Sequence, residues 1–160
     1  MIQLITPDAL KEAGVKPTME PSLEIENFEG DWKKEWFTYR PQKWARTTNK
    51  LFDPVWKAPK NAALELKITS VEANTLVVQI DSHAAATVNL KGSPDVQTVA
   101  LQAADFTNVA NEPLSNWDGI YSLTLTDSAK LRKGKETKDV GSPWKGKPPV
   151  FDHLRWVEGN

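Results

Sequence analysis

Aromatic and basic side chains are interleaved between residues 26 and 48 in a way that few core strands tolerate. This stretch contains three of the chain's seven tryptophans, one of its two tyrosines and five basic residues. An indole or phenol ring offers a flat apolar face to a pyranose ring, while its N–H or O–H keeps an outer partner. Nucleic-acid bases stack on the same rings. Such rings can also simply close the domain, so three interpretations are open.

The rings most typical of a binding site are Tyr39, Trp44 and Trp56, because polar or charged residues flank each of them. If KWARTT is a strand, Trp44 and Arg46 point to the same side. A guanidinium beside an indole can bind a sugar hydroxyl or carboxylate. Packing of the two side chains on one another at the surface is the alternative.

Two polar side chains of a predicted central strand extend this candidate site. In TLVVQIDSH, alternation puts the apolar Leu76, Val78 and Ile80 on one face of the strand. Gln79 and Asp81 then lie on the other, exposed face. There they could bind sugar hydroxyls in a concave site, or they could simply be solvated.

The remaining tryptophans have structural interpretations. Trp156 lies in an alternating terminal strand and is expected in the core, and Trp117 is expected to anchor a loop. Trp32 and Trp36, spaced i and i+4, could cover one end of the domain. Trp144 has the polar, proline-containing surroundings that are typical of packing at an edge.

Catalytic chemistry has little support in the sequence. Asp81 and His83 could share a strand face, but a catalytic dyad needs a nucleophile or a metal as its third member. On a regular strand, Ser82 would point the other way. The sequence contains no GxSxG elbow, no HExxH motif and no cysteine. We therefore expect a protein that is not an enzyme.

Composition narrows the choice of partners. The formal net charge is −1, whereas a general nucleic-acid binder is usually basic, because phosphate neutralisation supplies much of its affinity. We expect no nucleic-acid partner. No apolar run approaches the ~20 residues of a membrane-spanning helix, so we expect no membrane partner. The N-terminus lacks the basic and apolar regions of a signal peptide.

The elements that must position these residues are predicted to be strands from residue 23 onward. Residues 1–22 contain a short predicted helix, TPDALKEAG, and a linker that would join an upstream domain. Alternation of period two recurs in LEIENFE, AALELKITS, NTLVVQID, ATVNL, VQTVAL, YSLTLT and VFDHLRWVE. It slips near Asn27, which indicates a bulge or a strand end. A short helical turn is predicted at QAADF. We predict an all-β fold over residues 23–160, an antiparallel β-sandwich or barrel.

A basic segment precedes the final strand. Residues 127–149 are predicted to form a polar loop that makes a mobile surface excursion. Its seven basic residues are Lys130, Arg132, Lys133, Lys135, Lys138, Lys145 and Lys147. Such a run is usually solvated. If it is functional, it would attract an anionic polymer, and uronate or sulfated polysaccharide is favoured over nucleic acid.

The order of these segments resembles the galactose-binding-like jelly rolls, in particular family 11-type carbohydrate-binding modules. ENFEGDW is similar to the family's acidic-aromatic opening strand, and VFDHLRWVE is similar to its closing strand. Between them, LELKITS and NTLVVQID, then VQTVALQAADF and LSNWDGIYSLTLT, follow in the family's order. Asn27, where the family has an acid, and His153, where it has an asparagine, depart from the pattern.

The resemblance implies a monomeric, non-catalytic domain that binds a polysaccharide or oligosaccharide and targets an attached polysaccharide-active enzyme, outside the cell or in the periplasm. It also implies a structural calcium ion, for which Glu26, Glu29 and Asp152 are the matching acids, since calcium takes 6–8 oxygen ligands. The alternative is a structural or protein-docking accessory domain that binds no sugar.

Overall fold

The computed structural model describes residues 23–28, 37–38 and 44–158. The predicted helix within residues 1–22 therefore lies outside the described residues. The strands of the described ranges, in chain order, are β1 (Leu23–Glu26), β2 (Phe37–Thr38), β3 (Arg46–Thr48), β4 (Ala62–Thr69), β5 (Asn74–Ile80), β6 (Ala84–Leu90), β7 (Gln97–Leu101), β8 (Leu123–Thr126), β9 (Ser128–Lys133), β10 (Glu136–Gly141) and β11 (Val150–Glu158). Short 3-10 turns occupy Lys50–Phe52, Pro54–Trp56 and Ala103–Asp105. In these ranges, no helix is long and apolar enough to cross a membrane.

The strands form two main sheets and a hairpin. One sheet has four strands in the order β1-β11-β4-β7, and the other has five in the order β2-β3-β8-β5-β6. Within the described ranges, strands β9 and β10 pair only with each other. Every pairing is antiparallel. The predicted all-β class is confirmed, and the architecture is that of a sandwich.

The core lies between the two main sheets because each supplies an alternating apolar face. Leu64, Leu66 and Ile68 come from β4, and Leu76, Val78 and Ile80 from β5, and all are buried in one cluster. Trp156 of β11 lies in the same cluster and is 1% exposed. Its predicted place in the core is confirmed.

The opening strand stops where the alternation slips. β1 ends at Glu26, with a register shift against β11 between Glu24 and Glu26. Phe28 has a φ of 62°, in the left-handed region, which an extended strand cannot accommodate. The irregularity predicted near Asn27 is therefore confirmed.

The strand predicted at KWARTT is shorter than expected and is differently oriented. β3 begins at Arg46, and Trp44 lies in the turn before it. Arg46 is paired with Leu125 of β8, which is fully buried, so the two side chains share the inward face. The predicted exposed face with Trp44 and Arg46 side by side is therefore wrong.

The basic segment is not a loop. β9 and β10 pair along their whole length, and the buried Leu131 packs with Val77 and Ala85 on the outer face of the five-stranded sheet. Charged residues, a serine and a glycine flank the apolar positions of the hairpin, Ala129, Leu131 and Val140, and conceal its alternation in the sequence. The prediction of an irregular excursion is wrong for this part of the chain.

The segment that follows the hairpin is also tied down. The Trp144 N–H donates to Asp127 Oδ2 at 2.8 Å, and the Lys145 N–H donates to Asn74 Oδ1 at 2.7 Å. Asn74 Nδ2 in turn donates to the Lys145 carbonyl at 3.0 Å. Buried Asp127 and Asn74 thus fix residues 142–146 against the strand ends.

Candidate functional site

One end of the sandwich is built from loops. It comprises residues 49–61, which lead from β3 into β4, residues 81–83 between β5 and β6, and residues 102–122 between β7 and β8. We call this the loop end. Because rigid sheets hold their ends in place, side chains on these loops have fixed positions relative to one another.

The loop end contains a depression of about 580 Å³. Its wall combines the Trp117 indole with small apolar residues and six polar side chains. The polar side chains are Lys60, Asn61, Gln102, Ser115, Asn116 and Asp118. None of these six residues is indicated as a site residue by the sequence, because they lie in three separate loop segments that only the fold brings together.

Trp117 is held rigidly beside this depression. Its indole Nε1–H donates to the Ala62 carbonyl at 2.7 Å. Its ring makes edge contacts with Phe106 and Trp156, at centroid distances of 5.4 and 4.9 Å. Trp117 therefore anchors its loop, as predicted. Because its N–H is already bonded and it is only half-buried, the surface it offers to a ligand is ring carbon.

Local turn chemistry fixes the backbone that carries the polar side chains. Asn61 has a φ of 60°, a left-handed conformation that asparagine tolerates better than most residues. Asn116 Oδ1 accepts from the Asp118 N–H at 2.9 Å and so closes an Asx turn. The Gln102 N–H donates to Asp105 Oδ2 at 2.7 Å, within a capping box. Carboxamides both donate and accept, as sugar hydroxyls do.

Two exposed aromatic rings lie farther along the loop end. Phe52 is 66% exposed and Tyr121 is 56% exposed. Their centroids are 5.7 Å apart and their planes differ by 35°. Large apolar groups exposed together are typical of binding surfaces. The sequence does not indicate this pair, because 68 residues separate Phe52 from Tyr121, although both rings follow the turn signals of loops.

Asp81 positions this aromatic pair and does not lie on an exposed strand face. It follows the end of β5 and has a φ of 51°. Its Oδ1 accepts from the Tyr121 N–H at 3.1 Å and from the Ser122 N–H at 2.8 Å. His83 Nδ1 lies 3.9 Å from Asp81 Oδ2. The predicted strand position of Asp81 is wrong, because the chain turns one residue earlier.

Gln79 is also not exposed, contrary to expectation. It is 8% exposed, and its Nε2 donates to the Asp81 carbonyl at 2.8 Å. The outer face of β5 is covered where the β9–β10 hairpin packs on Val77. An open concave site with Gln79 on its floor is therefore not present on this part of the sheet.

Trp44 lies near the opposite end of the sandwich. It is half-buried, with its ring centroid 4.8 Å from Trp144 and 6.2 Å from Phe151. A second, more open hollow of about 430 Å³ lies there. It is lined by Trp44, Asp127, Ser128, Pro143, Trp144, Gly146 and Pro148. We call this the far depression.

Arg46 does not line the far depression. Its guanidinium carbon lies 5.8 Å from the Phe151 centroid. Burial lowers the pKa of this guanidinium, and the negative charge of Glu26 opposes that change. The environment is that of a cation held inside the sandwich, so Arg46 does not accompany Trp44 toward solvent.

Trp56 has a packing position within the loop end. It is half-buried against the core, and its carbonyl accepts from Trp156 Nε1 at 2.8 Å. Lys50 Nζ lies 4.8 Å from its ring centroid, a cation–π distance. Of the other predicted site residues, Tyr39 lies outside the described residues, as do Trp32 and Trp36.

The acids expected to hold calcium are not gathered in the described ranges. Glu26 is 4% exposed, and its Oε1 accepts from the Asn27 and Phe28 N–H groups at 2.9 and 3.0 Å. Asp152 is exposed on β11, and Glu29 lies outside the described residues. Among residues 23–28, 37–38 and 44–158, no group of three or more His, Asp or Glu is placed to hold a metal ion.

Comparison of the chain with protein-family models, with curated proteins and with solved structures gives no match.

Proposed function

We propose that this chain is a non-catalytic carbohydrate-binding domain with a galactose-binding-like jelly-roll fold, and that the loop end is its sugar site. One observation carries the proposal. A depression of about 580 Å³ brings a fixed indole together with three carboxamides, a hydroxyl and one charge of each sign. Small-molecule sites typically combine an apolar wall with a few convergent polar groups in this way.

The strand order supports the jelly-roll part of the proposal. Jelly rolls are double-sheet folds of eight strands in two Greek keys. With β2 set aside, the two sheets are β1-β11-β4-β7 and β3-β8-β5-β6, four antiparallel strands each. Of the seven connections between these eight strands, all but β5–β6 cross from one sheet to the other. The β9–β10 hairpin is then an insertion before the last strand.

The chemistry of the depression favours a sugar over other small ligands. Asn61, Gln102 and Asn116 each present a planar amide that can donate to one hydroxyl and accept from another. The carbon surface of Trp117 suits the C–H groups of a pyranose ring. The opposite charges of Lys60 and Asp118 leave the lining neutral. Because the site is open to water, we expect weak binding of short sugars, with a Kd of roughly 10 μM to 1 mM.

In this proposal the domain acts by proximity. Held in one chain with a polysaccharide-active enzyme, outside the cell or in the periplasm, it would raise the concentration of that enzyme at its polymer. The calcium ion is not part of the proposal, because Glu26 is a poor ligand for it. The Glu26 carboxylate already accepts two backbone N–H groups and lies near the positive charge of Arg46.

Two matched double variants test the site. We expect Asn116→Ala with Asp118→Ala to weaken oligosaccharide binding about tenfold or more, because both remove polar groups from the depression. Asn89→Ala with Asp95→Ala removes the same side-chain types from exposed positions at the other end of the sandwich, and should leave binding unchanged. The measurements are tryptophan fluorescence titration and calorimetry with sugars first selected on a glycan array.

If both double variants bind the sugar equally well, the sugar site does not lie in the depression. In that case Trp44→Ala and Trp144→Ala test the far depression instead. If no glycan on the array binds the unaltered domain, the carbohydrate proposal is overturned and the protein-docking alternative is favoured.

A further inference from the structure

Three features follow one another along the edge formed by the loop end and the neighbouring β9–β10 hairpin. The first is the depression beside Trp117, the second is the exposed pair Phe52 and Tyr121, and the third is the tip of the β9–β10 hairpin. A shared cavity and hydrogen bonds through one turn connect them. Lys57 and Ile120 share a small cavity with Trp117, and Ile120 adjoins Tyr121 in the chain.

The second feature contacts the third through the β5–β6 turn. The Tyr121 N–H donates to Asp81 Oδ1, and the carbonyl of the next residue, Ser82, accepts from the Arg132 N–H at 2.9 Å. Arg132 lies two residues before the hairpin turn at Gly134. The tip of the hairpin is therefore held at the same edge of the molecule as the exposed rings.

Basic side chains are concentrated on this hairpin. Ser128–Gly141 contains five lysine or arginine residues and only two acids, although the whole chain has a net charge of −1. Lys130 is paired with Asp139 at 2.9 Å, and Lys138 Nζ donates to Asn111 Oδ1. Arg132, Lys133 and Lys135 remain at the tip and are exposed. No ion pair engages these three within the part of the chain that the structure describes.

The positions of these cations are fixed by packing. Leu131, on the strand just before Arg132, is 0% exposed and packs against Val77 and Ala85. Gly134 has a φ of 62°, which lets the two strands join in a tight turn. The tip therefore presents its positive charge from a paired and anchored hairpin rather than from a free loop.

We propose that the loop end and the neighbouring tip of the β9–β10 hairpin together bind an extended polysaccharide that carries sulfate or carboxylate groups. The depression would take the hydroxyls of one sugar unit, Phe52 and Tyr121 would stack on the next, and Arg132, Lys133 and Lys135 would pair with its anionic groups. This inference deepens the proposed function and rests on it. Charge complementarity selects the ligand class, because these exposed cations make no ion pair within the described residues and lie at the same edge of the molecule as the two rings.

A nucleic acid is the less favoured polyanion. Its phosphates would also pair with the tip. The three carboxamides and the hydroxyl of the depression, however, offer the donors and acceptors that sugar hydroxyls need. The chain as a whole has no excess of positive charge with which to attract nucleic acid.

The test compares dextran sulfate with uncharged dextran of the same length, by calorimetry and by fluorescence anisotropy of labelled polymer. We expect dextran sulfate to bind the full chain at least about tenfold more tightly than dextran at about 50 mM NaCl, and to lose that advantage toward about 1 M NaCl. Arg132→Gln with Lys133→Gln and Lys135→Gln should remove most of the difference. The control, Lys91→Gln with Lys145→Gln and Lys147→Gln, changes the net charge equally at exposed positions distant from the tip and should retain it.

The outcomes separate this inference from the proposed function. Equal binding of dextran sulfate and dextran, or equal loss in the tip and control variants, overturns the anionic ligand while sugar binding in the depression stands. Single-stranded DNA that binds as tightly as dextran sulfate and depends on the same three residues overturns the carbohydrate assignment of the tip. A polygalacturonate titration then distinguishes carboxylate from sulfate recognition.

Discussion

At the residue scale, one glycine holds the end of the hairpin against the body of the domain. Gly141 has a φ of 90°, and a Cβ added there would lie 2.1 Å from the Asp127 carbonyl oxygen and 2.6 Å from Val77 Cγ2. Both neighbours are buried, so neither can move away without disturbing the strands. Only a residue without a side chain fits at this position.

We therefore expect Gly141→Ala to lower the free energy of unfolding by about 3 kcal/mol or more, through backbone strain and a steric clash. The matched control is Gly119→Ala. Gly119 has a φ of 77°, but no atom lies within 4 Å of the added Cβ, so only the conformational cost of about 1 kcal/mol remains. Urea unfolding of the two variants measures the difference. Equal losses would show that the contact with Asp127 is not a real constraint.

Another residue-scale feature is an ion cluster on the outer face of the four-stranded sheet. Arg155 Nε donates to Glu65 Oε1 at 2.8 Å, and His153 Nε2 lies 3.2 Å from the same oxygen. Partial burial raises the pKa of the Glu65 carboxyl, but the hydrogen bonds and charges of His153 and Arg155 outweigh it. The pKa therefore lies below its ordinary value of 4.5.

This lowered pKa gives a pH dependence with a defined sign. Because unfolded Glu65 binds a proton more readily than folded Glu65, its contribution to stability is complete above about pH 4.5 and is lost as the pH falls through the folded pKa. We expect Glu65→Gln to cost about 1 kcal/mol at pH 7 and less in acid. Thermal unfolding from pH 7 to pH 3 measures this, with the exposed Glu158→Gln as control. A cost that stays constant with pH would contradict the assignment.

At the scale of elements, the hairpin is attached to the sheet by few apolar contacts. Leu131 is its one residue buried completely, against Val77 and Ala85. Lys130, the preceding residue, points outward and pairs with Asp139 across the hairpin. Neighbouring residues of one strand thus have different functions, one in attachment and one at the surface.

We expect Leu131→Ala to cost about 2–3 kcal/mol and to speed amide hydrogen exchange in β9 and β10 before it does so in β4 or β11. Lys130→Ala, which removes only an exposed ion pair, should cost about 0.5 kcal/mol or less. Exchange followed by mass spectrometry distinguishes the two. Uniformly faster exchange over all strands would show that the hairpin is part of the global folding unit.

Sequence patterns predicted the core strands well, because their alternation is carried by strongly apolar residues. β4, β5, β7 and β11 coincide with predicted strands, and the predicted turn at QAADF is the 3-10 turn Ala103–Asp105. The sequence does not indicate the hairpin, because its apolar positions are few and most of its other residues are charged. The alternation of apolar and polar residues in β9 and β10 is therefore hard to see. β3 was predicted too long, because the turn at Trp44 has no glycine or asparagine to mark it.

At the scale of the whole molecule, the candidate site could not be predicted from sequence, because it is gathered from distant loops. Lys60, Gln102 and Asn116 meet at one depression although more than fifty residues separate the first from the last. The sequence pattern instead favours residues that have polar neighbours in the chain, and the folded protein places these residues far from one another. Trp44 lies near one end of the sandwich and Trp56 at the other, while Gln79 is buried beneath the outer surface.

The attachment of the hairpin also has an evolutionary consequence. Its charged tip contributes nothing to the buried core, and the core residues contribute nothing to the charge of the tip. Mutation can therefore alter the tip's cations without a penalty in folding. A lineage that retains Leu131 and Gly141 could exchange the intervening segment and so change the charge that this edge of the molecule presents to solvent, as an antibody varies a loop on a constant framework.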